Sequence, residues 1–320
     1  MNASAITTPA FPSPTDLQAA AQRIAGDVRH TPLWRLPGAA LGLGCAEVWL
    51  KLEHLQRGGS FKARGMFNRM RALPLPAAGV IVASGGNAGI AVATAAQALG
   101  VRCEVVVPQI SSPAKQAALA ALGAQVVVGG AAYADAAQAC LQRQAETGAL
   151  LMHAYDQPEV AAGAGTLMLE VQAEAGWPEH VLVSVGGGGL IAGVAAACAG
   201  RCQVHALESE GTPTLHAARW AGEPVDVAVS GLAADSLGAR RIGQQAWAVQ
   251  QAGHIQHSHL LTDADIRAAQ QRLWREFRLA VEPAAALPLA ALWAGVVQPA
   301  AHERVLAVVC GANLDPASLN

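Results

Sequence analysis

Lys62 stands inside a glycine-flanked stretch, Gly58-Gly59-Ser60-Phe61-Lys62-Ala63-Arg64-Gly65, that leads into a helical pattern. An amine at the mouth of a helix can serve as nucleophile or base once it is desolvated, because removal from water disfavours the ammonium. Taken alone, the octet reads first as a solvated surface lysine. Gly186 to Gly189 follow the apolar run Val181 to Val185 and precede Leu190. A buried strand, four glycines and a helix start cradle phosphate, since free amides, aligned dipoles and absent Cβ atoms let backbone donors close on an anion. A dinucleotide fingerprint would need G-x-G-x-x-G with an acid about 20 residues on. Glu208 is near that distance, but the glycines are contiguous and the next is Gly193.

Two further junctions belong with these. Ser84-Gly85-Gly86-Asn87-Ala88-Gly89 offers a hydroxyl, an amide and unhindered backbone N–H groups suited to a carboxylate or a hydroxyl. The plainer reading is an N-cap by Ser84 or Asn87. Cys310, in Val308 to Asn313, ends an apolar run and is either an inert buried thiol or a side chain aimed into a cleft.

The elements that must position these groups follow from periodicity and punctuation. Thr15 is expected to cap a helix to about Val28, and Glu47 to Glu53 alternates like a strand. From Lys62 onward the pattern predicts helix 62–73, strand 80–83, helix 87–99, strand 103–107, helix 113–122, strand 125–128 and helix 133–146. After a crossover at Met152 to Asp156 it predicts helix 159–174, strand 181–185, helix 190–199, strand 203–208, helices 238–251, 262–277 and 282–293, and strand 305–309. Thr262 with Asp265 resembles a capping box. The class is α/β: two packed lobes, each a mostly parallel sheet flanked by helices, with a ligand cleft at strand ends.

Composition bounds the partners. The 320 residues carry a net charge of -2, with 14% charged and 52% hydrophobic residues. The charged share is well below the ~25% of an average soluble protein, so shared surface and a homodimer are expected. Nothing in this balance attracts nucleic acid or an anionic membrane. Small neutral or zwitterionic ligands fit better. Six scattered cysteines without a CxxC pair point to reduced thiols and a cytoplasmic setting. Met1 to Pro14 reads as a loose arm, not a signal peptide. The charge-free runs Gly79 to Val101 and Val181 to Gly200 are cut by glycines and polar groups, so each reads as buried strand plus buried helix, not a membrane span.

Taken together and in this order, Ser60 to Gly65, Ser84 to Asn87, Gly186 to Leu190 and Cys310-Gly311 resemble the pyridoxal phosphate enzymes of the tryptophan synthase β fold (fold type II), nearest the serine/threonine dehydratase branch. The resemblance spans nearly the whole chain from Thr31. It implies a large cofactor-binding lobe, 1–66 plus 156–320, and a small mobile lobe, 67–155. It implies Lys62 as the Schiff-base lysine, Phe61 packed on one face of the pyridine ring, and Asn87 on the ring hydroxyl. Ser84, Gly85, Asn87 and Ala88 correspond to the substrate-carboxylate loop, and Gly186, Gly187, Gly188 and Gly189 to the phosphate cup. Cys310 takes the pyridine-nitrogen position, as in mammalian-type serine dehydratases. The implied reaction is β-elimination from L-serine or L-threonine. Lys62 removes the Cα proton, the cofactor phosphate protonates the departing hydroxyl, and a 2-oxo acid and ammonia result.

Departures from the pattern narrow the reading. Racemases of this family carry a serine where this chain has Gly85, so racemisation by that route is disfavoured. Ser-Phe-Lys-Ala differs from the Ser-Val-Lys-Asp of β-replacement enzymes. Another β-hydroxy amino acid, such as 3-hydroxyaspartate, stays open as substrate, as does a non-catalytic sensor of cofactor or amino acid. Glu208, with Thr212 and Thr214 downstream, sits where relatives bind a cation. The carboxylate expected at +6 for a divalent ion is missing, so a monovalent ion on Glu208 and carbonyls is implied. His254, His257 and His259 form HxxHxH, read here as a polar surface edge because no Cys or acid lies in register.

Overall fold

Ten strands and twelve helices follow one another with glycine or proline at most changes, in a computed structural model that describes residues 11–319. Residues 1–10 of the expected N-terminal arm lie outside the described residues. The strands are β1 (Leu33–Pro37), β2 (Glu47–Lys51), β3 (Val80–Ala83), β4 (Cys103–Val107), β5 (Gln125–Val128), β6 (Leu150–Met152), β7 (His180–Ser184), β8 (Gln203–Ser209), β9 (His257–Leu261) and β10 (Arg304–Val308). The helices through the first half are α1 (Pro14–Ile24), α2 (Lys62–Ala72), α3 (Asn87–Leu99), α4 (Pro113–Ala121), α5 (Tyr133–Thr147) and α6 (Pro158–Ala175). The remainder are α7 (Gly189–Cys198), α8 (Thr214–Ala221), α9 (Ala234–Leu237), α10 (Gln244–Gln251), α11 (Asp263–Phe277) and α12 (Pro283–Trp293).

The strands form a six-stranded sheet ordered β1-β2-β10-β7-β8-β9 and a four-stranded sheet ordered β5-β4-β3-β6. All pairs are parallel except β1 with β2. Helical crossovers require this, and they also explain the near-continuous Val, Ile and Leu of the central strands, which are buried on both faces. The expected α/β architecture of two mostly parallel sheets flanked by helices is therefore present. No described helix is long and apolar enough to cross a membrane. The charge-free run after Gly188 is α7, buried at all ten positions.

Several sequence expectations are corrected. Ser13, not Thr15, caps α1: its hydroxyl accepts the Asp16 amide while Asp16 receives the Ser13 amide, a reciprocal box that fixes the helix start two residues earlier. The helix expected over 238–251 begins only at Gln244 as α10; residues 238–243 are a loop that follows the short α9. Periodicity announces none of β1, β9 and α8. β9 reads H-S-H-L-L, with too little apolar alternation to mark a strand. Thr262 does cap α11.

Three helices stack where side chains are missing. A Cβ on Gly193 of α7 would lie 2.2 Å from the Ala161 carbonyl oxygen, and one on Gly163 of α6 would lie 2.5 Å from that of Arg64. This close packing holds α2 against α6. Beside this contact lies a charge-balanced cluster of buried Lys51, Glu53 and Arg64 with half-buried Glu170. Through Arg64 and Lys51, which meet on Glu170, the cluster ties the start of α2 to the end of β2 in the six-stranded sheet.

Candidate active site

Every junction singled out from the sequence falls at the carboxyl end of a strand, the edge at which open α/β sheets present their loops to ligands. After β2, Gly58 and Gly59 take left-handed backbone with φ of 67° and 74°, which turns the chain back on itself. A side chain on Gly59 would also meet Asn313 Oδ1 at 2.6 Å. The turn is pinned to the end of β10 by the Phe61 amide on the Cys310 carbonyl at 3.0 Å and by the Ala312 amide on the Gly59 carbonyl at 2.9 Å. These bonds put Lys62 and Cys310 on one wall although 248 positions separate them in the chain.

Phe61, Lys62, Asn87, Gly186, Gly187, Gly188, Gly189 and Cys310 line a single cavity, joined by Tyr155, Ser184, Leu237 and Glu282. Ser84, Gly85 and Ala88 are not on its wall. They lie beside Asn87 at the start of α3, where Ser84 Oγ accepts the Gly86 amide at 3.3 Å. Gly86 occupies the cap position and no side chain caps the helix, so neither Ser84 nor Asn87 acts as the N-cap. The Asn87 and Ala88 amides therefore have no acceptor among the described residues.

The glycine loop is shaped by its neighbours. A Cβ on Gly187 would fall 2.2 Å from the Tyr155 ring, and Gly188 combines φ of 91° with Ala246 at 2.4 Å. The carbonyls of Gly186, Gly187 and Gly188 are bonded outward, by Thr214 Oγ1, the Gly243 amide and the Ala192 amide. The amides of Gly186 to Gly189 donate to no acceptor among the described residues. They form a rim of unpaired donors at the positive end of the α7 dipole, a donor set that fits a phosphate group.

Lys62 Nζ donates to the Ala154 carbonyl at 2.7 Å and lies 5.1 Å from the Phe61 ring centre. Burial lowers its pKa to about 8, with Cys310 and Glu282 pulling the other way. Burial pushes the Cys310 thiol far up, and Glu282 pushes it further, so the thiol is neutral. Burial also raises Glu282 to about 7 against the bonds from Asn87.

Glu282, Asn313 and Tyr155 are members of the site that sequence reasoning missed. Asn87 Nδ2 donates to both Glu282 oxygens, at 2.7 and 3.0 Å, and Asn313 Nδ2 donates to Asn87 Oδ1 at 2.6 Å. Asn313 thereby fixes which end of the Asn87 amide faces the cavity. The one signal for Glu282 is an acid immediately before a helix, α12, that contains no charge.

Glu208 does not line the cavity. Its oxygens accept the Leu215 and His216 amides at 2.8 Å each, capping α8, and Thr214 Oγ1 lies 3.2 Å from one of them. Thr214 in turn holds the Gly186 carbonyl at 2.5 Å, so Glu208 supports the glycine loop from behind.

A two-sheet α/β fold with a desolvated lysine facing an unpaired glycine rim defines a cofactor-dependent enzyme of the phosphate-anchored kind. Residues 24–311 match the family described as pyridoxal-phosphate dependent enzyme, and the chain belongs to that family. It is similar to the L-threonine ammonia-lyase of Geobacter sulfurreducens, at 36% identity over 94% of this chain and 75% of that protein. It is also similar to the phenylserine dehydratase of Ralstonia pickettii, at 35% identity over 91% of this chain and 90% of that one. Among solved structures, a threonine deaminase from T.th. superposes with a TM-score of 0.88 at 35% identity, covering 95% of this chain and 99% of the other.

Proposed function

We propose that this protein is a pyridoxal 5'-phosphate-dependent ammonia-lyase that dehydrates and deaminates L-threonine and/or L-serine to 2-oxobutanoate or pyruvate plus ammonia. The observation that carries this reading is the meeting of Lys62, the unpaired Gly186–Gly189 amides and the neutral Cys310 thiol on one cavity. Relatives named for threonine deamination support the substrate class.

In this reading the Gly186 to Gly189 amides would hold the cofactor phosphate and Lys62 its aldehyde group, with Phe61 beside the ring, Asn87 toward the ring hydroxyl and Cys310 toward the ring nitrogen. When bound, the cofactor supplies the electron sink that makes loss of the Cα proton accessible. The free first-turn amides of Asn87 and Ala88 would orient the substrate carboxylate, with Ser84 and Gly85 in the loop just before them. Once the substrate amine displaces it, Lys62 Nζ, already shifted toward the neutral amine by burial, would take the Cα proton. Cys310 brings no charge to the ring nitrogen, which suits prompt elimination of the β-hydroxyl.

The lobes divide as 1–66 with 156–320, and 67–155. A monovalent cation at Glu208 would use the lone pairs that the α8 amides leave free, and potassium dependence of activity tests it. The low charge content supports a homodimer, measured by sedimentation. Six free, buried cysteines suit a cytoplasmic setting.

The purified protein is expected to be yellow and to release 2-oxo acid from a panel holding L-serine, L-threonine, 3-hydroxyaspartate and phenylserine. Cofactor binding without 2-oxo acid from any of them would make it a sensor, and a colourless protein that cannot be reconstituted would overturn both readings. Gly85 offers no base opposite Lys62, so D-serine should form at less than about one hundredth of the elimination rate, the general-base contribution being ~10²–10⁴-fold. Chiral chromatography of the reaction mixture measures this, and comparable rates would contradict the role given to Gly85.

Uptake of cofactor by the apo-protein should speed up as pH rises, with a midpoint near the Lys62 pKa of about 8, and level off once the amine is neutral. Glu282→Gln removes a carboxylate that favours the ammonium, so the midpoint should move to lower pH. Stopped-flow absorbance across pH 6 to 10 reads both. A midpoint unmoved by Glu282→Gln would remove Glu282 from the electrostatics of Lys62.

A further inference from the structure

At the opposite end of the strands from the Lys62 cavity, four histidines gather on one face of the six-stranded sheet. In the parallel register His205 of β8 pairs with His257 of β9, and Leu207 pairs with His259. Residues two apart on a strand share a face, so His205, His257 and His259 project together. His180, at the start of β7, reaches the same group. The other face is taken by α8, whose His216 bonds Ser258 at 3.2 Å. We propose that His205, His257 and His259 form a binding site for a divalent transition-metal ion of the imidazole-preferring class, Zn²⁺ foremost.

Geometry comes first. One ring nitrogen from each of the three lies within 4.8 Å of the others. Tetrahedral Zn–N bonds of 2.0–2.1 Å set ligand nitrogens about 3.3 Å apart. His205 Nδ1 and His259 Nε2 already stand at 3.1 Å, so small ring rotations complete the triangle. The rings of His205 and His257 stack with centres 4.5 Å apart, which keeps both on the same side of the sheet. Three protein ligands leave a fourth position for water.

The hydrogen-bond chain behind the rings fixes which nitrogen carries a lone pair. The Glu303 carboxylate can only accept, so His180 Nε2 donates to it at 2.9 Å. With its proton on Nε2, His180 accepts at Nδ1 from His205 Nε2, 3.0 Å away. This leaves His205 Nδ1 unprotonated and accepting from His259 Nε2, whose proton would shift to Nδ1 of that ring when metal binds. Gln203 Oε1 accepts from His257 Nε2 at 3.2 Å, which leaves His257 Nδ1 unprotonated as well. A carboxylate or carbonyl behind a ligating imidazole is the outer shell that metal sites use to set tautomer and orientation. Burial lowers the pKa of all three ligand rings, His205 to about 3, so they are neutral at physiological pH as ligation requires. With no carboxylate among the ligands, the site selects against calcium and magnesium. His254, the third member of the sequence motif, takes no part; it packs edge-on against Phe11 at 5.6 Å. Its place is filled by His205, which only the sheet register could supply.

Bound metal would clamp β9, the last strand of the sheet, to β8. The test uses the untagged, cofactor-loaded full chain, stripped with a chelator and titrated with Zn²⁺ against a chromophoric competitor, with metal analysis after gel filtration. One Zn²⁺ per chain is expected, with a rise in melting temperature. His259→Asn should weaken binding by more than about tenfold, the lower bound for losing even an outer-shell partner, and His180→Gln by about 10–100-fold. His254→Asn should leave affinity unchanged, and lyase activity should survive in all three. Absence of retained Zn²⁺ in the unaltered chain overturns the proposal even where a variant is unstable. So does equal retention by the His257→Asn/His259→Asn pair, and the cluster would then be a hydrogen-bonded imidazole chain only.

Discussion

Lys62→Ala is expected to fold, to remain colourless after incubation with pyridoxal 5'-phosphate and gel filtration, and to release 2-oxo acid at least ~10²–10⁴-fold more slowly, the loss of general-base catalysis alone. Loss of the covalent anchor adds to that. The fold should survive because Lys62 makes one polar contact, to the Ala154 carbonyl, and carries no part of the helix packing below it. Lys62→Arg is the sharper variant. A guanidinium keeps its charge at any accessible pH, so it can be neither nucleophile nor base. It should keep the melting temperature near that of the unaltered chain and be as inactive as the alanine variant. Borohydride treatment of the unaltered protein, followed by peptide mass mapping, should place the reduced adduct on Lys62. Residual activity above a few per cent in either variant, or an adduct on Lys115, would remove Lys62 from the chemistry.

What made this site legible was its place at strand ends. Glycines and polar residues after apolar runs mark such ends in any parallel sheet, and β3, α3, β4 and β5 have the residue bounds that punctuation predicts. Legibility failed where a residue's meaning depends on a distant partner. Glu282 looks like an ordinary acid before Pro283, and only the close return of β10 beside the Lys62 turn brings it to Asn87. Asn313 is hidden for the same reason. His205 is a single histidine in an apolar strand, without meaning until β9 is laid against it. Ser84 and Asn87 illustrate the reverse error: both are good cap residues, yet Gly86 takes the cap and Asn87 is drawn to Glu282. Cap propensity is worth about 1 kcal/mol, which a buried carboxylate readily outweighs.

Arg64, two residues after Lys62, enters the sequence reading only as part of a motif, and its substitution should produce the largest loss of stability. Its guanidinium bonds both oxygens of Glu53 at 2.8 Å each and both of Glu170 at 2.7 and 2.9 Å. Lys51 Nζ completes the set on Glu170 at 2.5 Å, and Thr31 Oγ1 bonds Glu53 at 2.5 Å. Two cations and two anions cancel, so the cluster is stable in a place where Glu53 has no exposed surface. Arg64→Ala leaves the Glu53 charge buried beside only a hydroxyl. Breaking a buried pair in this way costs ~3–5 kcal/mol. At about 2 °C per kcal/mol for a chain of this size, the melting temperature should fall by roughly 6–10 °C. Glu53→Gln/Arg64→Met, which removes both charges, should recover a good part of that loss, because the penalty comes from the orphaned ion and not from the missing attraction. The start of α2 moves with this cluster. The single variant should therefore also weaken cofactor affinity, measured by equilibrium dialysis, and the double variant should restore it in part. Equal melting temperatures for the single and double variants would mean that shape, and not charge, makes Arg64 necessary.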